Sequence, residues 1–147
     1  MTLVIRPLEP ADREGWDPLW QGYLRFYEST LPDAVTDLTW TRFFDEAEPV
    51  GAIGAFVDGN LIGFCHHLFH RSTWATGTYC YLEDLFVSPD SRSTGTGRAL
   101  IEATADLAEA AGAEKLYWHT QTGNVTARLL YDQVAKQDFV VYERDLT

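Results

Sequence analysis

Ser91 to Arg98, SRSTGTGR, is the stretch whose residue types point most directly at a ligand. Gly95 and Gly97 lack the Cβ atoms that would keep a ligand away from the backbone, and the residues after them read as a helix. Several N–H groups and the positive end of a helix dipole would therefore converge where an anion could sit, and a phosphate ester is the natural occupant. A Walker loop needs Gly-Lys-Ser/Thr, but Gly97 is followed by Arg98 and Ala99. A dinucleotide loop needs Gly or Ala three residues after its second glycine, where Leu100 stands. Neither nucleotide motif is met, and a Gly-x-Gly alone is equally compatible with a flexible turn. The histidines offer no metal site. His66, His67 and His70 cluster near one strand end, but strand alternation sends His66 and His67 to opposite faces, with no Cys or carboxylate to complete a shell. His119 reads as a packed, hydrogen-bonded residue, with a role as base the minority alternative. Cys65 and Cys80 belong to no CxxC or Cys/His spacing and are expected to be reduced and packed.

The elements that must position these residues follow from periodicity. Residues 3–6 read as a first strand, closed by Pro7 and Pro10, and Trp16, Leu19, Trp20, Tyr23 and Tyr27 recur at helical steps on one face. That aromatic stripe reads first as core and second as a pocket wall or dimer face. Trp40, Phe43 and Phe44 mark a second short helix. Ala52 to Val57 and Leu61 to Phe69 are strands around the hairpin signal Asp58-Gly59-Asn60, and Thr78 to Val87 is a long strand ended by Pro89. A helix from Ala99 to Ala111 stopped by Gly112, a strand from Lys115 to Thr120, a helix near Val125 to Lys136 and a strand pair near Phe139 to Leu146 complete an α+β pattern with a mixed sheet.

At 147 residues, with 46% hydrophobic and 22% charged residues, the chain is expected to form one domain, 1–147, around a single core. No apolar run approaches the ~20 residues of a membrane span, and Thr2 to Pro10 lacks a secretory pattern, so a cytoplasmic protein without membrane contact is expected. The formal net charge of −11 argues against a nucleic-acid partner. An acidic surface would attract cationic amines, or serve solubility alone.

Arg92-Ser93-Thr94-Gly95-Thr96-Gly97 resembles the Arg/Gln-x-x-Gly-x-Gly/Ala loop of the GCN5-related N-acetyltransferases, placed as in that family between a long strand and a helix. Asn124-Val125-Thr126-Ala127-Arg128-Leu129-Leu130-Tyr131 is similar to the family's Asn-x-x-Ala-x-x-Leu-Tyr helix. IRPLEPAD resembles its opening strand and turn, and YLEDLFV the central strand of its histone and polyamine branches. Ser93 stands where many members have Gly, and Ala135 where a Gly commonly follows the Tyr helix. The resemblance implies a mixed, mostly antiparallel, splayed sheet flanked by helices, with acetyl-CoA as co-substrate and no metal. It further implies that Leu85, Phe86 and Val87 pair with the pantetheine arm, and that Arg92, Ser93, Thr94, Gly95, Thr96, Gly97 and Arg98 cradle the pyrophosphate. Asn124 would contact the arm, and Tyr131 would face the thioester sulfur.

The chemistry so implied needs a base, because an amine with a pKa of ~10.4 is protonated at neutral pH. Glu83 and Asp84 are the carboxylates of the central strand, and alternation sends neighbours to opposite faces unless a bulge re-aims one. Glu83 is taken as the base, directly or through water, Asp84 as the anchor for the ammonium group, and Tyr131 as the proton donor to the departing thiolate. His70 and Trp74 are expected to line the substrate mouth. Transfer of an acetyl group to a primary amine, whether a small amine, polyamine, amino acid or protein lysine, is the leading reading. A catalytically silent CoA-binding sensor is the alternative. The aromatic surplus of the first helix and the tail from Val140 to Leu146 present surfaces needing cover, and related enzymes are often dimeric, so a homodimer is expected.

Overall fold

Strand β1 (Leu3–Pro7) opens the chain, and a 3-10 turn over Pro10–Asp12 leads into α1 (Arg13–Phe26). The computed structural model describes residues 2–92 and 94–147. The three- and four-residue spacing on α1 buries Trp16, Trp20 and Leu24. Helix α2 (Asp33–Arg42) adds Trp40, whose ring centroid lies 4.8 Å from that of Trp16. Strands β2 (Val50–Val57) and β3 (Asn60–Arg71) form the expected hairpin. Its two turn residues, Asp58 and Gly59, have φ of 52° and 80°, the left-handed geometry that matches the twist of the strands it joins.

Strand β4 spans Thr78–Val87, as its residue types predict. Helix α3 (Thr96–Ala110) begins earlier than Ala99, because Gly95 at φ 85° caps it, so the second half of the glycine-rich stretch is already its first turn. Gly112, at φ 86°, ends it in the expected place. Strand β5 (Ala113–Tyr117) then lies parallel to β4. The sheet order is β1-β2-β3-β4-β5, antiparallel except at the last pair.

Helices cover both faces of this sheet. Phe64 and His66 of β3 meet the ring of Trp20 on α1 at 6.2 and 5.3 Å. Cys65, between them, lies 3.2 Å from Thr104 Oγ1 of α3 on the opposite face. Burial pushes the thiols of Cys65 and Cys80 up to about 12 and about 11, so both are unreactive packing residues. Pairing of β4 with β5 ends at Tyr81 opposite Tyr117, whereas β4 continues to Val87 against β3 alone. The sheet is therefore splayed along Leu82 to Val87.

The compact unit that ends at Tyr117 holds all of these elements, and Trp118–Thr147 is a second unit. In the second unit α4 spans Val125–Val134, and residues 135–147 form neither helix nor strand. The expected strand pair near Phe139 to Leu146 is thus not formed. Val140, Val141 and Tyr142 have strand-forming side chains, but strand preference reflects fit to a pleated, half-buried surface. Here they are exposed, and no strand of their own unit supplies such a surface. No helix among the described residues is long and apolar enough to cross a membrane.

Candidate active site

One irregularity in the sheet decides the site. His66 of β3 pairs with Asp84 and His67 with Leu82, so Glu83 is an extra residue on β4, a β-bulge. Regular alternation would put Glu83 and Asp84 on opposite faces. The bulge removes that separation. The Asp84 carboxylate reaches His66 on the α1 side, and the Tyr23 hydroxyl of α1 feels the charges of both Asp84 and Glu83. Tyr117, at the end of β5, is also raised by the charge of Glu83 after the larger effect of burial. The two acids therefore work on one side of the sheet.

Asp84 is held from several directions. Its Oδ2 lies 2.9 Å from His66 Nδ1, and His66 Nε2 accepts from Trp16 Nε1 at 3.0 Å. Burial pushes the Tyr23 phenol far above its ordinary range, reinforced by the charge of Asp84 and a hydrogen bond to it. The Tyr27 phenol is raised by burial and then by Asp84. The rings of Tyr23 and Tyr27 lie 5.0 Å apart, so aromatic surface flanks the carboxylate. A carboxylate among aromatic rings is suited to an ammonium group.

Tyr117 anchors a second aromatic group with Tyr81 at 5.0 Å and Tyr79 at 6.5 Å. His70, expected at the substrate mouth, joins this group through a 2.7 Å contact between its Nε2 and the Tyr117 hydroxyl. Its Nδ1 lies 2.7 Å from the Arg71 carbonyl, so the proton sits on Nδ1 and Tyr117 is the donor to Nε2. Trp74 is 89% exposed on the β3–β4 connection, a surface position.

The glycine-rich loop stands beyond Val87. Thr94 Oγ1 donates to the Ser91 carbonyl at 2.6 Å and lies 2.9 Å from Thr96 Oγ1, which folds the loop onto the head of α3. A Cβ at Gly95 would meet no atom within 4 Å, so the space above this residue is open. First-turn N–H groups of a helix, here those of Thr96, Gly97 and Arg98, have no partner within the helix, and no acidic residue occupies that turn. An open cradle with backbone donors fits a phosphate ester. The Arg92 side chain serves the loop's shape: its Nε donates to the Val87 carbonyl at 3.1 Å, and its guanidinium lies over Phe26 and Phe86. Ser93 lies outside the described residues. Along the splay, Leu85, Phe86 and Val87 present one backbone edge to β3, while their other edge has no strand partner among the described residues. That free edge is available to an extended amide chain. The Phe86 side chain is buried in the core cluster.

In the second unit Asn124 precedes α4, and its Nδ2 donates to Thr120 Oγ1 at 3.2 Å. Tyr131 packs edge-on against Trp118, with centroids 5.4 Å apart. Among the described residues no three His, Cys, Asp or Glu side chains gather as a metal-binding group.

A family model described as the acetyltransferase (GNAT) family matches residues 16–135, most of the chain. The chain belongs to the GNAT acetyltransferase family. It is accordingly an acyltransferase with the GNAT fold. The D-amino-acid N-acetyltransferase HPA3 of Saccharomyces cerevisiae is 37% identical over 146 residues, covering 97% of this chain and 91% of that protein. Among solved structures, a ribosomal-protein-alanine N-acetyltransferase from Brucella melitensis biovar Abortus 2308 superposes with a TM-score of 0.83. Its identity is 26%, with 99% of this chain and 100% of that chain covered. The aminoglycoside N-acetyltransferase AAC(6')-Iy in complex with CoA gives a TM-score of 0.84 at 18% identity, covering 99% of this chain and 96% of that one, a likeness of fold.

In this GNAT domain the structure brings Glu83, Asp84 and His70 to the sheet, with Leu85 to Val87 leading from the two acids to the glycine loop. Sequence reasoning did not single out His66 or Tyr117, and it saw Tyr23 only as part of a stripe. The signal for His66 was the pairing register with Asp84. It could not be read while the position of the bulge was unknown.

Proposed function

We propose that this GNAT enzyme transfers an acetyl group from acetyl-CoA to the nitrogen of a cationic amine, by direct attack in a ternary complex. Small amines, polyamines, amino acids and lysine side chains fit that description. The observation that carries the reading is the Glu83 bulge, which turns two carboxylates toward the aromatic-lined side of the sheet. The relative HPA3, named for action on D-amino acids, supports amino acids as the first class to test.

Acetyl-CoA is a substrate here and supplies the thioester carbonyl. The free edge of Leu85 to Val87 and the cradle around Gly95 would hold its amide arm and phosphates. Asp84 holds an ammonium group of the amine. Glu83 takes a proton from the attacking nitrogen, directly or through one water, so that its lone pair can form the N–C bond as the C–S bond breaks. The departing sulfur takes a proton from Tyr131, a role that rests on the Asn124 to Tyr131 motif. The products are an amide and a free thiol, and solvent returns the proton balance of Glu83 and Tyr131.

Thiol release from acetyl-CoA, followed across D- and L-amino acids, diamines, polyamines and a lysine peptide, tests the proposal. Amine-dependent release is expected, strongest for substrates with a second positive charge. CoA binding without thiol release from any amine would overturn it in favour of a silent CoA-binding module.

A further inference from the structure

His66 sits between α1 and the bulge, and each of its ring nitrogens has a partner of fixed type. An indole nitrogen can only donate, so the 3.0 Å contact from Trp16 Nε1 makes His66 Nε2 an acceptor without a proton. The proton of the neutral ring then lies on Nδ1 and is donated to Asp84 Oδ2 at 2.9 Å. An imidazolium would set one N–H against the N–H of Trp16. The other neutral tautomer would do the same, and would also aim a lone pair at the carboxylate.

The ring has no room to choose otherwise. Phe64 stacks on it at 4.4 Å, with Phe43 at 4.6 Å and Trp20 at 5.3 Å. Trp16 is 0% and His66 2% exposed, so water does not compete for either contact. An aspartate carboxylate by itself turns freely about its last torsion. Here one oxygen is fixed by a donor whose own direction is set by a buried indole. Tyr23, seven residues after Trp16 on the same helix face, approaches the same carboxylate, so α1 addresses Asp84 twice.

We infer that His66 is a positioning residue for the amine site: Trp16 locks it as the Nδ1–H tautomer, and in that form it holds Asp84 in one orientation before the amine arrives. The inference rests on the reading of Asp84 as the ammonium anchor. Its consequence is pre-organisation, in which the carboxylate need not be ordered when substrate binds.

Two side chains separate the ends of the imidazole. In His66→Asn the amide nitrogen falls near the position of Nδ1 and can still donate to Asp84. In His66→Gln the amide reaches toward Trp16 instead and leaves Asp84 without its donor. With D-lysine and 1,6-diaminohexane as amines, His66→Gln is expected to raise amine KM roughly tenfold, the scale of a lost hydrogen bond to a charged group. His66→Asn should stay within about threefold of wild type on the same hydrogen-bond scale. Long-range proton–nitrogen NMR of the wild-type protein, which needs no variant to fold, should show His66 protonated at Nδ1 and bare at Nε2. A proton on Nε2, or equal KM increases for the two variants, would overturn the inference. Asp84→Asn separates the two layers. If it leaves amine KM unchanged, the anchor reading fails and the role of His66 falls with it. If it raises KM while His66→Gln does not, the positioning role alone fails.

Discussion

Replacing Gly95 with alanine, with Gly59→Ala as its matched control, tests the CoA cradle apart from the backbone cost of the change. Both glycines have positive φ, 85° and 80°, and at both a new Cβ would meet no atom within 4 Å. The folded protein therefore suffers no clash in either variant, and the penalty is that of a left-handed alanine, about 1–2 kcal/mol. The smaller unfolded-state entropy of alanine offsets roughly 0.4–1 kcal/mol of it. At about 3 °C per kcal/mol for a chain of this size, both variants should melt only a few degrees below wild type. The ligand response should differ. CoA at a hundred times its dissociation constant adds about 2.7 kcal/mol to the wild type, a rise of about 8 °C. The open space above Gly95 is where a phosphate must approach the N–H groups, so Gly95→Ala should lose at least half of that rise, while Gly59→Ala, at the β2–β3 turn, keeps all of it. Scanning fluorimetry with and without CoA reads both quantities. A Gly95→Ala protein with the full CoA shift, or a Gly59→Ala protein that loses as much, would refute the cradle.

Glu83→Gln should lower kcat by roughly 10²-fold or more, the scale of one general base, with CoA affinity unchanged; wild-type kcat across the pH range would remove Glu83 from that role and bring His119 or a water chain forward. Tyr131→Phe should slow turnover while leaving CoA binding intact, and an unaffected rate would end the case for leaving-group protonation by this hydroxyl. His67, buried beside Gly51, has its pKa pushed down to about 4 by burial and then by the neighbouring His66. Because its folded value lies below the unfolded value of about 6.5, its contribution is complete above pH 6.5 and is lost as pH falls toward 4, to a total of about 3 kcal/mol. Urea midpoints at pH 7 and pH 4.5 should therefore fall further in wild type than in His67→Gln, and equal falls would refute the assignment. Light scattering at micromolar concentration should give a homodimer, with the exposed run Val140 to Tyr142 as one surface to cover; a monomer with and without CoA would dismiss it.

What was legible in the sequence was what neighbouring residues decide among themselves. Asp58-Gly59 encodes its turn through positive φ, Gly112 ends α3 for the same reason, and TYCYLEDLFV reads as a strand from its own side chains. Strand formation in the tail is a different matter, because a strand exists only with a partner, and the residue types of Phe139 to Leu146 do not say whether one is present. The start of α3 was misplaced at Ala99 because a glycine in the left-handed region can close a loop or cap a helix, and at Gly95 it does the second.

The bulge is the instructive case, because chemistry depends on it and no single strand contains it. The two sequences of β3 and β4 each alternate regularly, and only their mutual register, His66 with Asp84 and His67 with Leu82, makes Glu83 the residue left over. Without the bulge one acid would face α1 and the other α3, and a substrate nitrogen could meet only one of them. With it, proton removal and ammonium binding are assigned to adjacent residues on one side, and the strand resumes its alternation at Leu85, level with Cys65 on the α3 face. The extra residue also shifts the phase of everything before it, so Tyr81 and Tyr79 stack toward Tyr117 beside the site. A deletion of Glu83 would therefore do more than remove a base: it would reverse the facing of one arm of β4. Glu83→Gln, which preserves the residue count, is for that reason the substitution that isolates the chemistry.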